Sequence, residues 1–202
     1  MQEINLQIFH FFNNLSSNSQ VELFVKCFVD TPIFIIPLFL AWYWLYYTYN
    51  PLLTSPQGRG IAQKNNLLFI FYWTALALII SLIIQQFVSV DRPEEHLQAG
   101  GKLLLDHLPD ASFPSDHATV SIAFLAWIFF AWYRKWWCAL LLPFIFMNIS
   151  RIIAWVHWPF DVIAGSIVWI TGAYITFSHL SQIKFVKKLN SKIIELLHII
   201  KL

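Results

Sequence analysis

The sequence predicts an all-α, polytopic membrane protein: a bundle of about five transmembrane helices with an interfacial amphipathic helix at each end of the chain. Of its 202 residues, 58% are hydrophobic and only 12% are charged, which is about half the charged fraction of a soluble protein. The mean hydropathy is +0.60. Several apolar runs approach or exceed the roughly 20 residues that cross a bilayer. The net charge of +2 is too small to indicate nucleic-acid binding.

The hydropathy pattern predicts the elements in chain order. Residues 4–12 are too few to span and carry apolar side chains near one helical face, so they predict an interfacial helix. A first span covers residues 25–47 and is kinked by Pro32 and Pro37. Four further spans are predicted over residues 67–90, 115–133, 137–154 and 161–180. If residues 4–15 crossed or re-entered the bilayer, the count would be six.

The end of the chain predicts a basic tail. Residues 184–202 alternate lysines with isoleucine and leucine, a pattern typical of an amphipathic helix on an anionic membrane surface. We therefore divide the chain into a membrane domain, residues 1–183, and a tail, residues 184–202.

The distribution of charge predicts the orientation, because short cytoplasmic loops retain Lys and Arg. One side carries Arg59, Lys64, Arg134, Lys135 and the lysines of the tail. On the other side, Arg92, Lys102 and Arg151 are outnumbered by Asp91, Glu94, Glu95, Asp106, Asp110 and Asp116. The first side, with the C-terminus, is therefore predicted to be cytoplasmic, and residues 91–113 are predicted to face out.

Polar side chains that loop solubility does not explain lie in three clusters, at residues 91–93, 113–117 and 150–161. All three lie at predicted outer ends of spans. Ionisable groups at such depth are costly and mark functional sites. A transporter is the alternative of a different class, but it would place charges in the middle of its spans. The clusters therefore favour a site at one membrane face.

The third cluster contains a histidine–carboxylate pair. His157 and Asp161 are four residues apart and would share a face if the helix began before His157. The carboxylate could then fix the imidazole tautomer and leave the other ring nitrogen free to attack. A helix-start salt bridge is the simpler alternative, and Pro159 between the two weakens the helical geometry.

The other clusters supply groups that bind anions. Ser115 ahead of a long apolar run is an N-cap signal, and the free N–H groups of a helix start bind anions. His117 could protonate a leaving group, whereas Asp116 could serve only the helix dipole. Arg92 and Arg151 match phosphate oxygens, although either alone could anchor a lipid headgroup. Together these residues predict a phosphoryl-transfer site.

In order and spacing, the three clusters resemble the signature motifs of the type 2 phosphatidic acid phosphatase superfamily, membrane lipid phosphatases related to vanadium haloperoxidases. The family pattern is Lys, six residues and Arg-Pro; then Pro-Ser-x-His; then Ser-Arg, several residues, His, three residues and Asp. This chain departs from it at Gln85, where the family has Lys, and at Asp116, where Gly is common. Residues 113–119 are similar to those of bacterial undecaprenyl-diphosphate phosphatases associated with bacitracin resistance.

The resemblance implies a role for each site residue. His157 would be the nucleophile that forms a phosphohistidine, Asp161 its orienting group, and His117 the general acid. The residues implied in binding the phosphoryl group, directly or beside it, are Arg92, Arg151, Ser115, Gln85 and Asp116. Gln85 replaces one positive clamp with a neutral donor, which could weaken transition-state binding or alter substrate preference.

The resemblance also implies a substrate and a location. The expected reaction converts undecaprenyl diphosphate to undecaprenyl phosphate at the outer face of a bacterial inner membrane, as a step of lipid-carrier recycling. Within the same chemistry the alternatives are a phosphatidylglycerophosphate, phosphatidic acid or lipid A phosphatase, or a phosphotransferase. No cofactor and no metal are implied.

Two further groups of residues leave alternatives open. The loop residues that could hold a divalent cation are Glu94, Glu95, His96, His107 and Asp110. A solvated acidic loop is the favoured interpretation, because no tight ligand spacing is present. Trp155, Trp158 and Phe160, next to the proposed nucleophile, could shape a lipid entry or could be an aromatic belt.

Overall fold

The computed structural model describes residues 2–50, 59–95, 102–105, 111–131 and 133–199. All regular structure in these ranges is helical. The α-helices are α1 (Gln2–Asn14), α2 (Ser19–Phe28), α3 (Ile35–Tyr49), α4 (Arg59–Phe87), α5 (Asp116–Phe130), α6 (Arg134–Ile153), α7 (Pro159–Ser178) and α8 (Lys184–Ile199). Short 3₁₀ segments lie at Leu15–Ser17, Thr31–Phe34, Pro93–Glu95 and Leu180–Gln182.

Helix α5 is the centre of the bundle and packs against α4, α6 and α7, while α3 packs on α4. Four segments in the described ranges are long and apolar enough to cross a membrane: Ser19–Tyr49, Gly60–Phe87, Arg134–Ile153 and Pro159–Ser178. Helix α5 is apolar but shorter, at 15 residues. Because α5 connects the same two ends of the bundle as its neighbours, α3 to α7 form the predicted bundle of five. Helix α1, with 13 residues, is too short to be a sixth span.

The first predicted span is broken where the prolines suggested a kink. Helix α2 ends at Phe28, the 3₁₀ segment contains Pro32, and α3 restarts at Ile35 with Pro37 in its first turn. Val25 of α2 and Val29, which follows α2, pack at the end of α6 against Ile153, Ala154 and Val156. The candidate span Ser19–Tyr49 contains the predicted first span, residues 25–47. The break within it places Asp30 at the end of the bundle that carries the motifs.

Helix α1 covers the connection between α6 and α7. The Phe9 ring is fully buried there, with its centroid 5.2 Å from that of Trp158 and 6.4 Å from that of Trp155. Asn13 Nδ2 donates to the carbonyl of Ile153 at 2.8 Å and to that of Lys102 at 3.1 Å. The N-terminal helix thus packs on the end of the bundle that carries the motifs.

Several helix boundaries differ from those predicted. Helix α4 begins at Arg59, two turns before residue 67, and α6 begins at Arg134 rather than at residue 137. Helix α7 begins at Pro159, a residue type suited to the first helical turn. His157 precedes this helix, so the condition under which His157 and Asp161 would share a helical face is not met.

The opposite end of the bundle is closed by α8, which packs against α4. The buried Asn190 donates through Nδ2 to Asn65 Oδ1 at 2.7 Å and accepts from the Tyr72 hydroxyl at 3.2 Å. The basic helix predicted for the tail is therefore present from Lys184 to Ile199 and anchored to the bundle by polar contacts.

Glycine permits one close approach between α4 and α7. A Cβ atom on Gly172 would lie 2.5 Å from Cη2 of Trp73, so the indole occupies the space a side chain would need. A Cβ atom on Gly165, two turns earlier, would meet Thr119 Oγ1 at an ordinary 3.6 Å. Close packing of α7 on α4 therefore depends on Gly172.

Candidate active site

Most of the predicted site residues gather at one end of the bundle, where α4 and α6 end and α5 and α7 begin. The side chains linked there by contacts are Asp30, Ser112, His117, Arg92, Arg151, His157 and Asp161. The structure thus brings residues from all three sequence clusters together, and it adds Asp30 and Ser112, which the sequence did not single out.

A tight turn after α6 returns the chain over its own last turn. Trp155 N–H donates to the Ile152 carbonyl and Val156 N–H to the Arg151 carbonyl, both at 3.2 Å, which is the Schellman pattern of a helix end. Trp155 has a φ of 70°, a left-handed conformation that favours glycine and costs a bulky residue about 1–3 kcal/mol. The turn places His157 beside Arg151, six residues earlier.

His157 is buried and its imidazole is held in one orientation. Its side chain is 2% exposed, and Nδ1 lies 3.0 Å from the carbonyl oxygen of Ser112. Because a carbonyl only accepts, Nδ1 must carry the hydrogen in this contact. Nε2 is then an acceptor, and it lies 3.2 Å from Nη2 of Arg151 and 3.5 Å from Nη1 of Arg92. A ring nitrogen with a lone pair therefore faces two guanidinium groups.

Asp161 reaches this histidine through Ser112. Its Oδ2 accepts from Ser112 Oγ at 2.5 Å and from the Trp158 N–H at 3.0 Å. The distance from Oδ2 to His157 Nδ1 is 3.9 Å, beyond a hydrogen bond. Ser112 is fully buried and contacts the carboxylate with its hydroxyl and the imidazole with its carbonyl. Its only signal in the sequence was a small polar residue just ahead of the second cluster.

The two arginines lie beside Nε2 of the histidine. Both are almost completely buried. Arg92 donates from Nη1 to the Val156 carbonyl at 2.6 Å, which fixes its guanidinium against the turn that carries His157. Buried guanidinium groups at this position can hold the oxygens of a phosphoryl group while Nε2 approaches phosphorus.

Ser115 occupies the predicted N-cap position of α5, but its side chain makes no capping hydrogen bond. The hydroxyl is fully buried and has no hydrogen-bond partner among the described residues. A buried polar atom without a partner is costly. Together with the first N–H groups of α5, which have no carbonyl partner within the helix, this hydroxyl is suited to bind an oxyanion.

His117, in the first turn of α5, contacts a carboxylate from outside the motifs. Its Nε2 lies 3.1 Å from Oδ1 of Asp30, and the same oxygen lies 2.5 Å from Nη1 of Arg151. Asp30 belongs to the break between α2 and α3. Its only signal in the sequence was a lone carboxylate just before Pro32, within a predicted span.

Gln85 and Asp116, the two positions that depart from the family pattern, contact each other. Gln85 Nε2 donates to Asp116 Oδ1 and to the Pro114 carbonyl, each at 3.0 Å. Ser81 Oγ donates to the same Asp116 oxygen at 2.7 Å. The amide and the carboxylate thus brace the start of α5, and direct contact of either with a phosphate stays a prediction.

The acidic loop has no metal-binding arrangement in the described part of the chain, where no three His, Cys, Asp or Glu residues lie close enough to hold an ion. His96, His107 and Asp110, like Asp106, lie outside the described residues. Trp158 donates from Nε1 to the Asp91 carbonyl at 2.9 Å, and it packs on Phe9 as described above. Both tryptophans of the turn therefore have a packing role.

Comparisons with known proteins identify relatives of this chain and a solved structure with the same fold. The chain is 28% identical over 180 residues to a protein of Escherichia coli K12 named putative undecaprenyl-diphosphatase YbjG, covering 85% of this chain and 80% of that one. It is 30% identical over 194 residues to a protein of Bacillus licheniformis named bacitracin transport permease protein BcrC, covering 94% and 87%. The crystal structure of Aquifex aeolicus LpxE has the same fold, with a TM-score of 0.59 and 22% identity over 87% of this chain and 96% of that one.

The strongest assignment comes from the family model described as the PAP2 superfamily, which matches residues 66–184. That region is more than half of the chain and contains all three motifs. With His157, Arg92 and Arg151 assembled at one site, the chain belongs to the PAP2 superfamily of lipid phosphatases.

Proposed function

We propose that this protein removes the terminal phosphate of undecaprenyl diphosphate, through a phosphohistidine at His157, on the outer face of a bacterial inner membrane. The observation that carries the proposal is the environment of His157: a buried imidazole with Nδ1 on a carbonyl and Nε2 beside two guanidinium groups. That arrangement suits in-line attack on a phosphorus atom.

The first step transfers the phosphoryl group to the enzyme. His157 Nε2 attacks the terminal phosphorus, and the bond from phosphorus to the bridging oxygen breaks. Arg92 and Arg151 neutralise the charge on the equatorial oxygens, assisted by Ser115 and the start of α5. The His117 imidazolium donates its proton to the departing oxygen, which leaves as the lipid monophosphate.

The second step restores the enzyme. Neutral His117 removes a proton from a water molecule, which attacks the phosphohistidine. The N–P bond breaks, inorganic phosphate leaves, and both histidines return to their initial protonation states. The charge that Mg²⁺ supplies in other phosphoryl-transfer enzymes comes here from arginine side chains and helix N–H groups, so activity should survive EDTA.

The choice of lipid rests on the relatives. The Escherichia coli protein named a putative undecaprenyl-diphosphatase aligns over most of both chains, and its name supports a polyprenyl diphosphate as substrate here. Lipid substrates would reach the site from the bilayer that surrounds the five spanning helices. A role in bacitracin resistance would follow from a larger supply of undecaprenyl phosphate.

The proposal is tested with purified protein and a panel of lipid phosphates. Undecaprenyl diphosphate should release phosphate faster than phosphatidic acid, phosphatidylglycerophosphate or lipid A, with or without EDTA. His157→Ala should abolish release, whereas His179→Ala, at an exposed histidine in another part of the chain, should not. Terminally labelled substrate should leave acid-labile label on the wild-type protein. Preference for another lipid, or transfer of label to a lipid acceptor rather than to water, would contradict the assignment.

The orientation is tested separately. In a variant lacking Cys27 and Cys138, cysteines replacing Glu95 or Lys188 can be labelled in intact cells with a membrane-impermeant thiol reagent. Both positions are exposed. Labelling at residue 95 and protection at residue 188 are expected; the reverse pattern would place the site on the cytoplasmic face.

A further inference from the structure

Asp30 contacts two proposed site residues, although it lies outside the region matched by the family model, residues 66–184. One carboxylate oxygen, Oδ1, lies 2.5 Å from Nη1 of Arg151 and 3.1 Å from Nε2 of His117. The other terminal nitrogen of the same guanidinium, Nη2, lies 3.2 Å from His157 Nε2. Asp30 therefore contacts both the arginine next to the proposed nucleophile, His157, and the proposed general acid, His117.

An anion at this point occupies a position that phosphoryl transfer needs. During in-line transfer, phosphorus lies beside His157 Nε2 and the departing oxygen lies near His117. An oxygen that contacts both Arg151 and His117 is therefore in the place of a substrate oxygen. A carboxylate and a phosphate oxygen cannot share this position, because like charges at such distances repel strongly.

The surroundings allow Asp30 to leave. Its side chain is 53% exposed, whereas that of Arg151 is 3% exposed. Asp30 lies in the non-helical break before Thr31–Phe34, at the junction of α2 and α3. A rotation of one half-exposed side chain into solvent would release Nη1 of Arg151 and Nε2 of His117 without moving a helix.

Given the proposed function, we infer that Asp30 lowers the affinity of the site for anions: its carboxylate occupies a phosphate-oxygen position in the resting site and must be displaced by the substrate. Competition of this kind weakens the binding of every anion by the same factor. Inorganic phosphate has no lipid chain and no second phosphate to add binding energy, so it is then bound weakly and dissociates. A lipid diphosphate gains further binding energy from its second phosphate and its chain.

The inference predicts that removing the charge tightens the binding of a small anion. The probe is inorganic phosphate, whose dissociation constant is measured by calorimetry on the full chain in detergent. In Asp30→Asn the dissociation constant should fall about two- to fivefold, the scale of a partly exposed ion pair. Asp30→Glu, which restores a carboxylate, should bind phosphate about as weakly as the wild type.

Glu22→Gln is the matched control. Glu22 is another carboxylate of the same N-terminal region, and it pairs with Lys26 and Lys102, each at 2.7 Å, rather than with the site. This variant changes the net charge as Asp30→Asn does, so its dissociation constant for phosphate should equal that of the wild type. If Asp30→Asn does not fold, Asp30→Ser serves the same purpose.

Two results would overturn the inference. One is an unchanged or larger dissociation constant for phosphate in Asp30→Asn. The other is a loss of turnover that an activated aryl phosphate restores while phosphate binding stays the same, which would make Asp30 a partner of the acid His117. Because binding is measured without turnover, the proposed function fails separately, when the wild type releases no phosphate from lipid diphosphates.

Discussion

Replacing Ser112 with alanine separates two contacts that this residue makes. The substitution removes the hydroxyl that donates to Asp161 Oδ2 at 2.5 Å, but it leaves the backbone carbonyl that accepts from His157 Nδ1 at 3.0 Å. The imidazole should therefore keep its tautomer. The buried carboxylate of Asp161 loses one donor and retains the Trp158 N–H.

The size of the effect follows from the lost hydrogen bond. A hydrogen bond to a charged group is worth about 1.5–3 kcal/mol. If all of it is expressed in the transition state, where His157 becomes positive and the carboxylate matters most, kcat falls by about 10- to 150-fold. The loss should stay well short of that in His157→Ala, because the nucleophile remains in place.

The assay compares single and double variants. The kcat for phosphate release is measured for Ser112→Ala, Asp161→Ala and the double variant. If Asp161 acts through Ser112, the double variant should be little worse than Asp161→Ala alone, because coupled residues are not additive. Ser121→Ala is the control: this serine is also buried, on α5, and its hydroxyl contacts Ala118 and Asn148 rather than the site. It should lower thermal stability without lowering kcat.

Two outcomes would refute this reasoning. A normal kcat in Ser112→Ala together with a severe loss in Asp161→Ala would show that the carboxylate acts on the imidazole directly. Fully additive losses in the double variant would show that the two residues act independently.

Three further predictions concern packing, proton transfer and the departures from the family pattern. Gly172→Ala should destabilise the protein by about 1–3 kcal/mol through overpacking, whereas Gly165→Ala should be neutral or stabilising; equal thermal unfolding of the two would refute the packing argument. His117→Ala should lose about 10²- to 10⁴-fold in kcat on a lipid substrate and much less on an activated aryl phosphate. An equal loss on both substrates would show that His117 is not the general acid. Gln85→Lys should retain activity and change the ratio of rates on mono- and diphosphates, because the new ammonium meets Asp116 and the nearest phosphate; complete inactivation would show that the first motif is misaligned.

The span layout was predictable because it depends on length and polarity, which the sequence displays directly. The residues at which the helices begin were less predictable. The first two turns of α4 are polar and resemble a loop, yet Lys64 lies over the Trp44 ring at 4.9 Å and Asn65 binds Asn190. Those partners come from distant parts of the chain, and local pattern does not reveal them.

The same distinction applies to the site. Arg92, His117 and His157 belong to motifs whose spacing is visible in sequence. Asp30 and Ser112 have no motif, and their roles depend on contacts with residues 45 or more positions away. The sequence left open whether Asp161 and His157 pair directly on one helix. Helix α7 begins at Pro159, between the two residues, and Asp161 Oδ2 lies 3.9 Å from His157 Nδ1.

The turn at Trp155, within the third motif, packs against the helix at the beginning of the chain. Left-handed backbone at a tryptophan is unfavourable by itself, and the indole packs close to the fully buried ring of Phe9 in α1. Helix α1 contributes no proposed catalytic group, but it thus supports by packing the loop that carries His157. Loosening α1 would let that loop relax, and the spacing between Nε2 and the guanidinium groups would change although no site residue had been altered.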